Sequence, residues 1–125
     1  MAITHSTGAK NAAANAVVDL LDVGAGANGT LVIKTSGDAV LVTINLAEPA
    51  FGAASGGVAA ISGTPNGVAT GAGVSAKFDL KDEDGTVVIS GTVGQGSGDI
   101  SLDNTNIAVD QTVTISTMTY TPFSA

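Results

Sequence analysis

The 125-residue sequence contains no cysteine, no arginine and no tryptophan, and only four lysines. The absence of cysteine excludes disulfides, thiolate chemistry and cysteine-ligated zinc. The shortage of basic side chains, with a net charge of −7, argues against binding to nucleic acid, whose phosphates attract basic residues. It argues equally against an anionic membrane surface. We therefore expect neither a nucleic-acid nor a membrane partner.

Catalytic groups are also scarce. His5 is the only histidine, so a histidine-based metal site is excluded, and a lone histidine near a chain end is a poor general base. No GxSxG motif is present, and four aromatic residues are too few to line the cleft of a glycosidase. We predict that the protein is not an enzyme and uses no cofactor or metal.

The sequence lacks long hydrophobic runs. None reaches the roughly 18 consecutive apolar residues of a membrane-spanning helix, and residues 1–10 show no basic stretch followed by an apolar one, as a signal peptide would. We expect synthesis in a cytoplasm without export by the usual route. The length favours one domain over 1–125, with an N-terminal arm and helix over 1–24 and a β domain over 30–122.

The stretch 74–94, VSAKFDLKDEDGTVVISGTVG, predicts a β-hairpin. In its first arm, apolar Val74, Ala76, Phe78 and Leu80 alternate with a polar set, which is the period of a strand. The second arm is rich in β-branched residues, which favour strands. The alternating polar set is Ser75, Lys77, Asp79 and Lys81.

A second hairpin is predicted from 31–35 and 39–47 across a Ser-Gly-Asp turn. Its second arm places Val40, Val42, Ile44 and Leu46 on one face, with Leu41 on the other. With further short strands up to residue 122, these hairpins predict a mainly β protein. The expected architecture is an antiparallel β-sandwich or small barrel with one short N-terminal α-helix.

The segment 48–73 is rich in Gly, Ala, Ser and Thr. Loops of this length are uncommon inside compact domains and are usually functional or mobile. We predict a flexible loop here, with weak signals for short strands at 58–61 and 68–69. A plain surface excursion and an interaction arm are equally compatible with its composition.

One helix is predicted from Lys10 onwards, with Ser6 or Thr7 available to cap its start. An apolar stripe at helical spacing runs along one side and would dock on a sheet or a partner. Asn11, Asn15, Asp19 and Asp22 take the polar side. The stripe consists of Ala14, Val17, Val18 and Leu21.

Two strings imitate functional motifs. GAGANG at 24–29 has the GxGxxG spacing of dinucleotide sites, but a helix precedes it and a strand follows, the reverse of the required order. The acidic run 82–85, DEDG, lacks the alternating oxygens and distal glutamate of a calcium loop. We interpret the first as a connecting loop and the second as a solvated hairpin turn.

Three stretches together resemble a small family of virion structural proteins of tailed bacteriophages and prophages. They are the opening MAITHST at 1–7, the helix at 12–21 and PAFGAAS at 49–55. The resemblance continues through KFDL at 77–80 and the Thr-rich end, and so covers most of the chain. It implies a protein without catalytic residues. From it we infer a capsid decoration, or cement, protein that binds the outside of the mature shell and stabilises it.

The resemblance implies two partners, the major capsid protein and further copies of this chain in a homotrimer, with the protein located on the capsid surface of the virion. A tail, head-completion or fibre-associated structural protein is the alternative. A carbohydrate-binding module would normally display more aromatic platforms. The candidate contact residues, for which packing in the protomer's own core is equally compatible, are Ala14, Val17, Val18, Leu21, Phe51 and Phe123.

Overall fold

A computed structural model describes residues 4–24, 28–47, 50–94, 100–102, 105–115 and 118–121. Its described part is mainly β, with largely antiparallel strand pairs and one N-terminal helix, which confirms the predicted fold class. The strands in chain order are β1 (Thr30–Lys34), β2 (Val40–Asn45), β3 (Ala59–Ala60), β4 (Asn66–Val68), β5 (Gly73–Val74), β6 (Lys77–Lys81), β7 (Val87–Gly94), β8 (Ile100–Ser101), β9 (Asn106–Ile107), β10 (Thr112–Thr114) and β11 (Thr119–Tyr120).

The helix α1 spans Thr7–Asp19, and a 3₁₀ turn continues it over Leu20–Asp22. It begins three residues before the predicted Lys10. The earlier start follows from the cap, because the Ser6 hydroxyl accepts a hydrogen bond from the Ala9 N–H at 3.1 Å. One of the two predicted capping residues is therefore confirmed.

The largest sheet has five strands in the order β2-β1-β6-β7-β8. Both predicted hairpins lie in it, β1 with β2 and β6 with β7, each antiparallel. Strands β7 and β8 pair in parallel over two residues, which the sequence did not predict. This sheet is open, and the remaining described strands form three two-stranded ladders.

The predicted alternation is wrong at two positions. Val40 is 48% exposed while its neighbour Leu41 is buried, because the ladder between β1 and β2 shifts register beside them. Val74 is 56% exposed and Ser75 is buried, because Val74 lies in β5 and pairs with Asn106, whereas β6 begins later. A change of pairing partner or register reverses which side chains face the core.

The segment 48–73 takes a larger part in the fold than predicted. Its described part, 50–73, carries β3 and β4 and leads into β5. These strands form two-stranded antiparallel ladders with β11, β10 and β9 respectively. The weak strand signals at 58–61 and 68–69 correspond to β3 and, shifted by about two residues, to β4. The interpretation as an excursion or arm is therefore wrong for the paired residues.

One hydrophobic core joins the sheet, the ladders and the helix. It is aliphatic apart from Phe51 and Phe78, as the low aromatic content requires. Ile115 and Met118 are both buried although they have opposite strand phases.

Candidate interaction surface

Most of the predicted contact residues lie inside the protomer. Ala14, Val18, Leu21 and Phe51 are each at most 4% exposed and belong to the core. Their side chains pack in the protomer's own core, the second of the two interpretations given for them. Val17 is half-buried on α1, and Phe123 lies outside the described residues. The apolar stripe therefore docks the helix on its own β domain.

The polar side of the helix has a structural role. Three of its side chains accept hydrogen bonds from the backbone of the segment 50–57, which lies alongside α1. Because backbone N–H groups removed from water need a partner, these bonds fix the path of the chain towards β3. The bonds run from Gly57 N–H to Asn11 Oδ1 (2.7 Å), from Ala54 N–H to Asn15 Oδ1 (2.8 Å) and from Ala50 N–H to Asp22 Oδ1 (2.9 Å).

The acidic turn between β6 and β7 satisfies its own backbone. The Asp82 carboxylate accepts hydrogen bonds from the N–H groups of Asp84 and Thr86, both at 2.9 Å, and Gly85 adopts a positive φ of 88°. A carboxylate used in this way stabilises a turn. Among the described residues, no group of three or more His, Cys, Asp or Glu side chains has an arrangement that could hold a metal ion.

An ion-pair network lies on the outer face of the five-stranded sheet, opposite the core. We call this surface the lysine face and define it by Lys34, Asp38, Lys77, Asp79 and Lys81. Lys34 Nζ lies 2.6 Å from Asp79 Oδ2, and Lys77 Nζ lies 2.6 Å from Asp38 Oδ1. The register of β1 with β6 brings the three lysines and Asp79 onto one face, and the turn between β1 and β2 adds Asp38.

The protonation equilibria on the lysine face follow from these contacts. The hydrogen bond from Lys34 lowers the pKa of Asp79 below 3.8, and the Ser90 hydroxyl, which donates to Asp79 at 2.7 Å, acts in the same direction. The hydrogen bond from Lys77 likewise lowers the pKa of Asp38. The bond to Asp79 raises the pKa of Lys34 above 10.5. At neutral pH all three groups are therefore charged.

Most of the positive charge of the protein lies on the lysine face. It carries three of the four lysines together with two carboxylates, which leaves Lys10 as the one lysine against nine carboxylates in the rest of the sequence. The alternation of Lys77, Asp79 and Lys81 was visible in the sequence. Their pairing with Lys34 and Asp38 was not, because these partners belong to the other hairpin.

One edge of the sheet, formed by β7, is largely unpaired in the described structure. Strand β8 pairs with β7 only at Val93 and Gly94, and no described strand covers this edge over residues 87–91. The Val93 N–H donates to the carbonyl of Ala76, the residue just before β6, at 2.9 Å. Since inward and outward backbone groups alternate along an antiparallel strand, the backbone N–H and C=O of Ser90 point outward from the sheet edge.

Two of the depressions on the described surface are lined by no carboxylate, lysine or histidine. The larger, of about 290 Å³, lies between residues 45–47 and 62–65. The smaller, of about 170 Å³, lies beside the open edge of β7. The smaller one is lined by Phe78, Ile89, Ser90, Met118, Thr119, Tyr120 and Thr121.

Comparisons with protein-family models, with curated proteins and with solved structures give no significant match. Among the described residues, no helix has both the length and the apolar character needed to cross a membrane.

Proposed function

We propose that the chain is a structural protein of a tailed-phage virion, specifically a capsid decoration protein that binds the outside of the mature shell. The resemblance of residues 1–7, 12–21 and 49–55 to that family supports the proposal. The observation that carries the choice of contact surface is the lysine face. As defined, this surface holds three of the four lysines of this acidic protein and two of its eleven carboxylates.

The lysine face suits an acidic patch on the major capsid protein. A protein of net charge −7 is repelled by an acidic partner except where its own charge is locally reversed. Complementary charges raise the association rate and select the orientation of docking more than they raise affinity. Lys81 is the best placed for such a contact, because the other two lysines already form ion pairs within the face.

Decoration stabilises a shell by mass action. A protein that binds the mature shell, and not its dissociated subunits, raises the stability of the shell in proportion to the logarithm of its free concentration over Kd. Catalytic groups have no part in this mechanism. Many copies on a repeating lattice multiply a weak contact into a strong one.

The test is co-sedimentation of the purified chain with expanded shells assembled without it. We expect saturable binding near one copy per major capsid subunit and a higher melting temperature for the decorated shells. Absence of binding, together with a ring of more than three subunits or association with tails, would assign the protein to the tail or head-completion class instead.

A charge-reversal pair locates the contact surface in the same assay. We expect Lys81→Glu to weaken shell binding at least about tenfold, and to do so more at low salt, because exposed charges are screened as ionic strength rises. Lys10→Glu makes the same change of net charge on α1, away from the lysine face, and should bind as the wild type does. Equal loss in both variants would refute the lysine face as the contact.

A further inference from the structure

We propose that the lysine face holds its protein partner by two kinds of contact. Two exposed valines, Val40 and Val87, supply apolar contacts at opposite corners of the face. Between them Lys77 exchanges its internal ion pair with Asp38 for a carboxylate of the partner. This mode of docking rests on the proposed function, since it concerns the same contact with the major capsid protein, and it adds the chemistry that the partner must present.

Two shifts of strand register bring the valines onto the lysine face. Beside the shift between β1 and β2, Val40 pairs with Lys34. Beside the shift between β6 and β7, Val87 pairs with Lys81. A bulge of this kind re-aims a side chain at a defined point of a strand. Since directly opposite residues of a ladder share a face, each shift sets a valine opposite a lysine of the lysine face.

The two valines are exposed and far apart. Val40 is 48% exposed and Val87 is 47% exposed. They lie on β2 and β7, three strand spacings apart in the sheet. With strands about 4.8 Å apart and a rise of about 3.3 Å per residue from Lys77 to Lys81, the valines are roughly 20 Å apart along a diagonal. Contacts at two such separated points fix the orientation of a partner, which charges alone do not.

The ion pair between Lys77 and Asp38 is the one that a partner can exchange. These side chains are 40% and 64% exposed, whereas those of Lys34 and Asp79 are only 17% and 14% exposed. An exposed ion pair contributes little to stability, because water screens it. A partner carboxylate that reaches Lys77 therefore replaces an equivalent contact at little cost, while the more buried pair stays in place.

The combination of contacts favours a protein partner over a free polyanion. A polyanion would use the lysines alone, and the net charge of −7 would repel it from the rest of the surface. Protein interfaces combine apolar contacts with charged and polar ones. The partner surface should therefore carry carboxylates opposite Lys77 and Lys81 and apolar side chains opposite Val40 and Val87.

Val40→Thr and Val87→Thr test the apolar contacts by co-sedimentation of the full chain with expanded shells. Threonine keeps the β-branched shape but places a hydroxyl in the contact. Each variant should raise Kd at least about fivefold. Unlike the effect of Lys81→Glu, this increase should be the same at low and high salt, because salt screens charges and not apolar contacts.

Val68→Thr is the matched control for the valines. Val68 is 54% exposed and lies on β4, outside the five-stranded sheet. This variant should bind the shells as the wild type does. All three threonine variants should leave the melting temperature of the free chain nearly unchanged, because substitutions at exposed positions have small effects on stability.

Asp38→Asn tests the exchange of the ion pair by a gain of binding. Asparagine also tolerates the positive φ of 70° at this position, so the turn is kept while Lys77 loses its internal partner. Kd should fall about threefold or more at low salt, and the gain should disappear at high salt. Asp110→Asn is the control. Asp110 has the same φ of 70° in the turn before β10, outside the lysine face, and its loss should leave Kd nearly unchanged.

The outcomes separate this mode of docking from the decoration role. Wild-type binding with equal Kd values for Val40→Thr, Val87→Thr and Val68→Thr would overturn the valine contacts and leave decoration intact. Binding by Asp38→Asn that is no tighter than binding by Asp110→Asn would overturn the exchange. A wild type that does not bind the shells would refute decoration, and this mode of docking with it.

Discussion

The two edges of the five-stranded sheet differ in how they are protected. The edge formed by β2 is covered by residues 66–71, because the N–H groups of Thr70 and Gly71 both donate to the Leu41 carbonyl, at 2.9 and 3.1 Å. The edge formed by β7 has no described partner over residues 87–91. Within the described residues, the sheet therefore has one covered edge and one edge that is largely unpaired.

The close approach of residues 66–71 to β2 explains why this covering segment contains glycine. A Cβ on Gly67 would lie 2.8 Å from the Thr43 carbonyl oxygen, and one on Gly71 would lie 2.7 Å from the Val40 carbonyl oxygen. Only glycine permits the backbone to approach β2 so closely. The low-complexity segment thus protects an edge that could otherwise recruit another chain.

The largest effect is expected from breaking the covered edge. Gly67→Ala inserts a methyl group against Thr43 and should lower the free energy of unfolding by about 1–3 kcal/mol, as overpacking does. Urea titration measures the change. Gly52→Ala is the control, because its nearest non-neighbouring atom would be 3.8 Å away, and should change stability by less than about 0.5 kcal/mol. Equal losses of unfolding free energy in the two variants would show that the close approach of Gly67 to Thr43 does not matter for stability.

A smaller effect is expected near the largely unpaired edge. There the segment 50–57, whose backbone donates hydrogen bonds to α1, leads to β3, and β3 pairs with β11 beside the smaller depression. Asn15→Ala leaves the Ala54 N–H without its acceptor and should cost about 1–2 kcal/mol, since the better helix propensity of alanine offsets part of the loss. Thermal unfolding measures it. Asp19→Ala is the control, because Asp19 is exposed on the same helix, and it should leave the melting temperature nearly unchanged. An equal loss in both variants would mean that the hydrogen bond from Ala54 to Asn15 does not account for the effect.

The smallest effect is expected between the two edges, on the lysine face. Because the pKa of Asp79 is lowered in the folded state, its stabilisation is present above pH 3.8 and is lost as the pH falls through the lowered value. The contribution of Lys34, whose pKa is raised, is present below pH 10.5 and is lost as the pH rises through the raised value.

Asp79→Asn tests the acid side of this behaviour. The variant should be slightly less stable than the wild type at neutral pH, since ion pairs near the surface contribute little. The difference in melting temperature should shrink well below pH 3.8, where the wild-type carboxylate is protonated. A difference that persists unchanged in strong acid would mean that packing, and not charge, accounts for it.

Local patterns predicted the local elements well. The Ser6 cap, the two hairpins and their turns depend on residues close in sequence, and each appears near its predicted place. The errors at Val40 and Val74 arise where a strand shifts register or changes partner. Periodicity carries no information about the partner strand, so such changes are invisible in one sequence.

The candidate surface was harder to predict because its parts meet only in the folded chain. Asn15 and Ala54 are 39 residues apart, as are Lys77 and Asp38. The polar side of the helix was predicted correctly as polar, but its partners in the segment 50–57 were not. The open edge of β7 depends on where every other strand pairs, which no local pattern encodes.

Residue-resolved amide hydrogen exchange tests the contrast between the two edges most directly. We predict that the Thr70 and Gly71 amides are protected at every protein concentration, because they bond to β2 within one chain. The Ser90 amide, which points outward from the edge of β7 where no described strand pairs with it, should exchange rapidly. A Ser90 amide that is protected at all dilutions would mean that its own chain covers this edge, and would contradict the account.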